Sequence, residues 1–135
     1  MISATLPKRG TDSWGSGEFG ASRGSRTHKG IDYACPAGAV IHSPVTGLVT
    51  KLGYPYADNL EYRYIEITTV DQLRHRIFYV EPISSKGDVI STGQVIGVCQ
   101  DIAWKYYEPD VGPMKNHIHY EILEADGTPI NPESL

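Results

Sequence analysis

The feature that most constrains the fold is a series of short β-favouring runs that begins near residue 39 and continues toward the C-terminus. Val, Ile, Thr and Tyr dominate the runs, and Gly, Pro, Asn or Asp separate them, which is typical of strands joined by turns. The runs lie at 40–42, 47–52, 62–69, 74–80, 94–98 and 118–123. No stretch keeps a sustained apolar period of 3.6 residues. The pattern predicts an all-β fold: a single compact antiparallel β-sheet or sandwich domain.

The remaining segments are predicted to be loops. Residues 1–27 carry turn formers with little periodicity, so we expect a glycine-rich lead-in loop, with 1–18 ahead of the folded body. Asp71 and Gln72 stand between two of the runs and predict a hairpin. Residues 100–116 form an unusually long connection, and such loops tend to be functional. Its aromatic residues are Trp104, Tyr106 and Tyr107. With 135 residues, the whole chain, 1–135, is expected to be one domain.

Charge and hydropathy exclude several function classes. The chain has 16 acidic and 12 basic side chains, a net charge of −4 and no basic stripe, so nucleic acid is not an expected partner. No apolar run approaches the roughly 18 residues of a membrane span. Residues 1–6 lack the basic start and apolar stretch of a secretory signal. We therefore expect a protein made in the cytoplasm and then released or delivered, and we expect a monomer.

The two cysteines, Cys35 and Cys99, lie 64 positions apart and fit no close-spaced metal motif. Two buried free thiols are the favoured interpretation. A single disulfide bridge is the alternative, and the sequence does not decide between them.

Two clusters of metal-capable side chains carry the candidate chemistry. The first is His28 and Asp32, with three residues between them, and the second is His117-Ile118-His119. Because side chains alternate along a strand, His117 and His119 are expected to project from the same face. Imidazole and carboxylate are both zinc ligands, and a catalytic zinc site takes three of them and keeps one position open. Surface or hydrogen-bonded histidines are the alternative interpretation of each cluster taken alone.

Seven segments, in order from Phe19 to the C-terminus, resemble the lysostaphin/LytM-type zinc endopeptidases. They read FG at 19–20, HKGIDYA at 28–34, PAG at 36–38, SPVTGLV at 43–49, KGDVISTGQVIG at 86–97, HIHYEI at 117–122 and GTPINP at 127–132. The resemblance implies the duplicated hybrid motif architecture of that family, with long loops around a zinc groove. It also implies cleavage of peptide cross-links in bacterial peptidoglycan, with a cell-wall peptide as the partner.

The resemblance assigns a role to each clustered residue. It implies one zinc ion (Zn²⁺) per chain, held by His28, Asp32 and His119, and it makes His117 a catalytic histidine. The family usually has a second catalytic histidine in a Tyr-x-His motif, and here Glu81 stands in that place. A carboxylate near a zinc-bound water can act as a general base, so Glu81 is a second catalytic candidate. A plain surface carboxylate is the alternative.

Neither His75 nor His42 is expected to replace the missing histidine. His75 lies in the same predicted strand as Glu81, but six residues at about 3.3 Å each place it roughly 20 Å away. We expect a solvated strand residue there, and a structural role for His42.

Two functional hypotheses follow from the resemblance. The favoured one is a zinc metalloendopeptidase, and without a signal or a separate wall-binding domain we expect a phage lysin or virion-associated protein. The alternative is a catalytically inactive zinc-containing binding module, as in chemotaxin-type animal members of the same fold. Those members are regarded as non-enzymatic, and the chain shares local segments with them around 35–38 and 55–56.

Overall fold

The computed structural model describes residues 6–12, 15–23, 26–103 and 116–134. These residues form short antiparallel strands and, near the C-terminus, a 3₁₀ turn at Pro132–Ser134. The strands are β1 (Thr11–Asp12), β2 (Gly15–Ser16), β3 (Ser22–Arg23), β4 (Arg26–Thr27), β5 (Gly30–Ala34), β6 (Val40–His42), β7 (Gly47–Gly53), β8 (Tyr64–Thr68), β9 (Arg74–Phe78), β10 (Val80–Pro82), β11 (Val89–Ile90), β12 (Val95–Cys99), β13 (His117–Leu123) and β14 (Pro129–Ile130). The prediction of an all-β antiparallel fold is confirmed.

The larger of the sheets has seven strands, and β13 lies near one end of it. Its order is β11-β7-β8-β9-β13, and the far side of β13 pairs with both β14 and β5. β5 covers the first part of β13, from His117 to Glu121, while β14 pairs with Ile122 and Leu123. β13 is therefore paired on both sides from His119 to Leu123 and on the β5 side at His117 and Ile118, which fixes the direction of its side chains.

A smaller sheet packs against the larger one. It has the order β10-β12-β6, and all its pairs are antiparallel. Its inward residues Ile41, Val80 and Ile96 are buried in the same apolar cluster as the isoleucines of the large sheet. The large sheet contributes Ile31, Val49, Ile65, Ile67, Ile77, Ile90, Ile118 and Ile122. The core is thus an isoleucine-rich layer between two sheets, and it holds the face of β13 that carries Ile118 and Ile122.

Most predicted strands are present, and the hairpin around Asp71 and Gln72 joins β8 to β9 as expected. The predicted strand 74–80 is wrong in one respect, because it is two strands in two sheets. Tyr79 has a φ of 71°, in the left-handed region, and separates β9 from β10. Its backbone N–H donates to the Arg63 carbonyl at 2.8 Å instead of continuing the ladder. The side chains before and after Tyr79 therefore do not share one strand face.

Two further differences concern the N-terminal third. Residues 30–34 were expected to lie in a loop, but they form β5 inside the large sheet. The lead-in segment contains two small hairpins, β1–β2 and β3–β4, and Lys8 bridges to Tyr33. β5 is ordered by pairing with β13, and the lead-in segment is ordered by its bridge to β5. Neither contact can be recognised from the local sequence.

The predicted loop 100–116 is described at 100–103 and at Asn116, and Trp104, Tyr106 and Tyr107 lie outside the described residues. Cys35 and Cys99 are both free and buried, so the prediction of two buried thiols is confirmed. Within the described residues, no helix is long and apolar enough to cross a membrane.

Candidate metal centre

Three predicted ligands meet at the end of the large sheet where β5 pairs with β13. Asp32 on β5 lies directly opposite His119 on β13 in the strand register. His28 lies two residues before β5, and its backbone N–H donates to the Ala21 carbonyl at 2.8 Å. One ligand atom from each of the three side chains falls within 4.8 Å of the others. The pairing of two strands therefore joins the two sequence clusters into one site.

The three donor atoms form a triangle of the size a metal ion requires. Nε2 of His28 lies 2.9 Å from Nδ1 of His119 and 3.2 Å from Oδ1 of Asp32. Nδ1 of His119 lies 3.0 Å from the same Oδ1. Ligand atoms at about 2.0 Å from a tetrahedral zinc lie about 3.3 Å from one another. The residues present fit zinc in both donor type and spacing.

The outer nitrogen of each imidazole has an acceptor. Nδ1 of His28 donates to the backbone carbonyl of Glu18 at 2.9 Å. Nε2 of His119 donates to Oε1 of Glu121 at 2.9 Å. With its outer nitrogen bonded in this way, each ring turns its inner nitrogen toward the other two side chains, where a metal ion would replace the hydrogen bonds between them. Metal-binding histidines in proteins are oriented in this way.

Asp32 is buried, and its two oxygens face different partners. Oδ1 faces the two histidines, while Oδ2 accepts from Nη1 of Arg9 at 2.9 Å in a salt bridge whose side chains are 1% and 5% exposed. Burial by itself raises the pKa of Asp32, but the hydrogen bonds from His119 and His28 hold it well below its usual range. Asp32 is therefore an anion at every physiological pH, as a metal ligand must be.

His119 carries the opposite shift. Burial lowers its pKa, but the hydrogen bonds to Asp32 and Glu121 outweigh that effect and raise it to about 9. Two carboxylates on one imidazole create a strongly cation-attracting position. The donor set thus favours a divalent cation over a neutral ligand.

His117 lies beside the three clustered side chains without belonging to them. Its Nε2 is 3.6 Å from Oδ2 of Asp32, and the residue is 4% exposed. The Tyr79 ring meets the imidazole edge-on, with centroids 5.5 Å apart. His117 and His119 share a face of β13, as the alternation predicted, but only His119 reaches the other two ligands.

Glu81 lies on β10 in the smaller sheet, and the structure does not bring it to the three ligands. Its side chain is exposed, and Oε2 accepts from Nε2 of Gln100 at 3.4 Å. Among the described residues, no contact joins Glu81 to His28, Asp32 or His119. The catalytic role of Glu81 stays a prediction.

The other two histidines have structural partners. His75 was expected to be solvated, and this is wrong: it is 2% exposed, and Nδ1 lies 2.7 Å from the Tyr120 hydroxyl on the core face of the sheet. His75 stands opposite Ile122 and Ile67 in the strand register, on the face of β9 that enters the apolar core. Nδ1 of His42 donates to the Gly93 carbonyl at 2.9 Å, in line with the structural role expected for it.

Sequence reasoning missed three contributors to this site: Arg9, the carbonyl of Glu18, and Glu121. Alternation along β13 could have found Glu121, which stands two residues after His119 on the same face. Arg9 and Glu18 come from the lead-in segment, where no periodicity marks their approach. Gly17 shows how close that approach is, because a Cβ there would lie 2.9 Å from Cβ of Asp32.

A family model described as Peptidase family M23 matches residues 26–132. Leukocyte cell-derived chemotaxin-2 from Mus musculus is 30% identical over 117 residues, covering 87% of this chain and 74% of the relative. The catalytic domain of the prophage-encoded M23 protein EnpA from Enterococcus faecalis has a TM-score of 0.68 at 23% identity, covering 98% of this chain and 93% of that chain.

Lysostaphin from Staphylococcus simulans, an antimicrobial peptidase, has a TM-score of 0.69 at 17% identity over 96% of this chain and 48% of its own. The two solved structures support the fold, and the family model covers most of the chain, including both halves of the three-residue cluster. The resemblance inferred from motif order is confirmed, and the chain belongs to peptidase family M23.

Proposed function

We propose that this protein is a zinc-dependent endopeptidase that hydrolyses peptide cross-links in bacterial peptidoglycan. The observation that carries the proposal is the triangle of donor atoms from His28, Asp32 and His119, with both outer imidazole nitrogens already hydrogen-bonded. Family membership and the likeness to lysostaphin, an antimicrobial peptidase, support the substrate class.

In this proposal His28, Asp32 and His119 hold one zinc ion. A zinc ion there supplies Lewis acidity, which polarises a peptide carbonyl and makes water nucleophilic at neutral pH. Nε2 of His117, directed at the site from the same strand face, accepts the proton of the attacking water and returns it to the leaving amine. The Tyr79 ring against His117 limits the rotation of the imidazole.

The proposal is tested with purified peptidoglycan and the zinc-loaded protein, by measuring new free amino groups with and without a chelator. His117→Ala is expected to keep one zinc per chain and to lose hydrolysis by about 100-fold or more, the scale for removing a general acid/base. His42→Ala is the matched control, because His42 lies on β6 in the smaller sheet and bonds to Gly93, and it is expected to keep full turnover. A His117→Ala protein that loses its zinc would show that the ligand and acid/base roles are exchanged.

A second candidate function is a zinc-holding binding module without catalysis. The observation in its favour is Glu81, which is exposed, contacts Gln100 and stands where the family motif has histidine. The 30% identity to a chemotaxin supports the same candidate. If the enzyme hypothesis holds and Glu81 acts as a base, Glu81→Gln lowers kcat by at least about tenfold with zinc content unchanged.

The wild type and Glu81→His separate the two functions. Turnover by the wild type supports the endopeptidase. A wild type that binds zinc but cleaves no peptidoglycan, and gains turnover only as Glu81→His, supports the binding module. Unchanged turnover in Glu81→Gln would mean that Glu81 takes no part in proton transfer and that His117 carries it alone.

The delivery of the protein to the cell wall by a phage remains part of the proposal. Its support is that the EnpA catalytic domain, which shares the fold, is described as prophage-encoded. The test compares isolated sacculi with intact bacteria: a protein delivered from outside is expected to act on both.

A further inference from the structure

A chain of charged side chains crosses one face of the large sheet and ends at His119. Glu121, Arg76 and Glu66 are neighbours in the register of β13, β9 and β8, so their side chains share the face that carries the metal ligands. Oε1 of Glu121 accepts from Nε2 of His119 at 2.9 Å. Nη1 of Arg76 lies 3.9 Å from Oε2 of Glu121, and its Nε donates to Oε2 of Glu66 at 2.7 Å.

The far end of this chain is fixed as well. Oε1 of Glu66 accepts from the Thr50 hydroxyl at 2.7 Å, and Thr50 is also 2.8 Å from the Thr68 hydroxyl. Glu66 and Glu121 are 6% and 7% exposed. Two buried carboxylates are costly unless each is paired and hydrogen-bonded. The ligand triangle uses neither of them, so their burial calls for a different explanation.

We propose that Glu121 is a positioning residue that sets the metal affinity of His119, and that Arg76 and Glu66 hold it in place. The inference rests on the proposed zinc site. By accepting the Nε2 proton, Glu121 leaves Nδ1 as the nitrogen that faces His28 and Asp32 and would bind the metal, and it fixes the rotation of the ring. Its negative charge also makes the imidazole a stronger base and a stronger ligand.

The distances within the chain explain how Glu121 keeps its charge available to His119. Arg76 contacts Glu66 at 2.7 Å and Glu121 at 3.9 Å, so its cation is neutralised mainly by Glu66. Two carboxylates and one guanidinium leave one net negative charge, and the imidazole of His119 is its closest partner. Glu66 thus prevents Arg76 from competing with His119 for Glu121.

The test measures the zinc dissociation constant by competition with a chromogenic chelator at pH 7. Glu121→Ala is expected to weaken zinc binding by about 10- to 100-fold, the range for an outer partner of a ligating histidine. Glu121→Gln is expected to recover part of that loss, because its amide oxygen still accepts from Nε2. Glu66→Gln is expected to give a smaller loss, since Arg76 then turns toward Glu121. Glu124→Ala, at an exposed carboxylate just after β13, is the control with an unchanged constant.

A purely structural role for Glu121 gives a different result: a lower Tm of the metal-free protein with an unchanged zinc dissociation constant, which overturns the inference. A second measurement needs no metal. Imidazole N–H correlations by NMR, assigned with His119→Ala, are expected to show an exchange-protected Nε2 proton on His119 that disappears in Glu121→Ala. A wild type that binds no zinc contradicts the proposed function, while the presence or absence of that protected proton still decides whether Glu121 orients His119.

Discussion

The two faces of β13 are both buried, yet they carry opposite chemistry. One face presents His117, His119 and Glu121, and the alternate residues of the strand enter the isoleucine core: Ile118, Tyr120 and Ile122. A single strand therefore places catalytic-type side chains on a rigid element whose other face is held by apolar packing. Sites built on such elements are positioned more accurately than sites on loops.

His119, on the metal-binding face of the sheet, and His75, on its core face, show what determines the charge of a histidine here. His75 is 2% exposed and the side chain of His119 is 14% exposed, yet the pKa of His119 is raised to about 9, and burial lowers that of His75 to about 4. His119 contacts two carboxylates, whereas His75 contacts the neutral hydroxyl of Tyr120. Burial alone yields a neutral structural histidine. The charge of the partners turns a buried histidine into a cation-binding one.

The largest expected effect is a loss of bound zinc when the metal-binding face of β13 is altered. His119→Ala is expected to remove stoichiometric zinc, measured by elemental analysis of the purified protein, because the remaining His28 and Asp32 leave a two-ligand site. The rise in Tm on adding zinc to the wild type is expected to vanish in this variant, since a ligand stabilises only the fold that binds it.

His75→Gln is the matched control for that experiment, because it removes a buried histidine from the other face and keeps a hydrogen-bonding group for Tyr120. It is expected to retain one zinc per chain. A His119→Ala protein with full zinc content, or a His75→Gln protein without zinc, would contradict the division between the faces.

A substitution on the core face of β13 is expected to change the free energy of unfolding and to leave the zinc content unchanged. Ile118 is fully buried between His117 and His119. Ile118→Ala is expected to lower the free energy of unfolding by about 2–5 kcal/mol, the range for a large-to-small change in a core. Zinc content stays at one per folded chain, because the backbone register with Asp32 is kept. Chemical denaturation with and without zinc measures both quantities, and loss of zinc at unchanged stability would break the comparison.

Much of the fold could be predicted from local patterns, because side-chain alternation and turn residues are properties of short segments. Alternation alone correctly placed His117 and His119 on one face. The strand at 30–34 was missed because its order comes from pairing with β13, more than 80 positions away. The split at Tyr79 depends on a left-handed φ at a non-glycine residue, which no residue type marks.

Some residues of the candidate site could likewise be predicted from local motifs, and others could not. His28, Asp32 and His119 came from motif spacing and the family resemblance, and the structure brings them together. Arg9 reaches Asp32 from 23 positions away, and Glu18 contributes a backbone carbonyl, which any residue type could supply. Tertiary contacts of this kind leave no periodic signal in the sequence.

The smallest expected effect concerns the pH dependence that His75 imposes on the core face. Burial lowers the pKa of His75 to about 4, against 6.5 for a free histidine, although the nearby Asp71 carboxylate raises it slightly. Above pH 6.5 His75 is neutral in both the folded and the unfolded chain, so it adds no pH dependence there. Between pH 6.5 and 4 the unfolded chain binds a proton that the folded chain excludes, so stability falls as the pH falls.

Because rearrangement of the side chains around His75 offsets part of this shift, we expect a loss of about 1 kcal/mol across that window, a Tm change of roughly 3–6 °C. His75→Gln cannot titrate, so its Tm is expected to change less than that of the wild type between pH 6.5 and 4. Asp32 does not interfere, since its lowered pKa makes its contribution disappear only below the ordinary carboxyl pKa of 3.8. Scanning calorimetry in chelator, which removes metal from both proteins, measures the two slopes. Parallel slopes would mean that His75 is protonated in the folded core, and the contrast with His119 would then rest on metal ligation instead of charge.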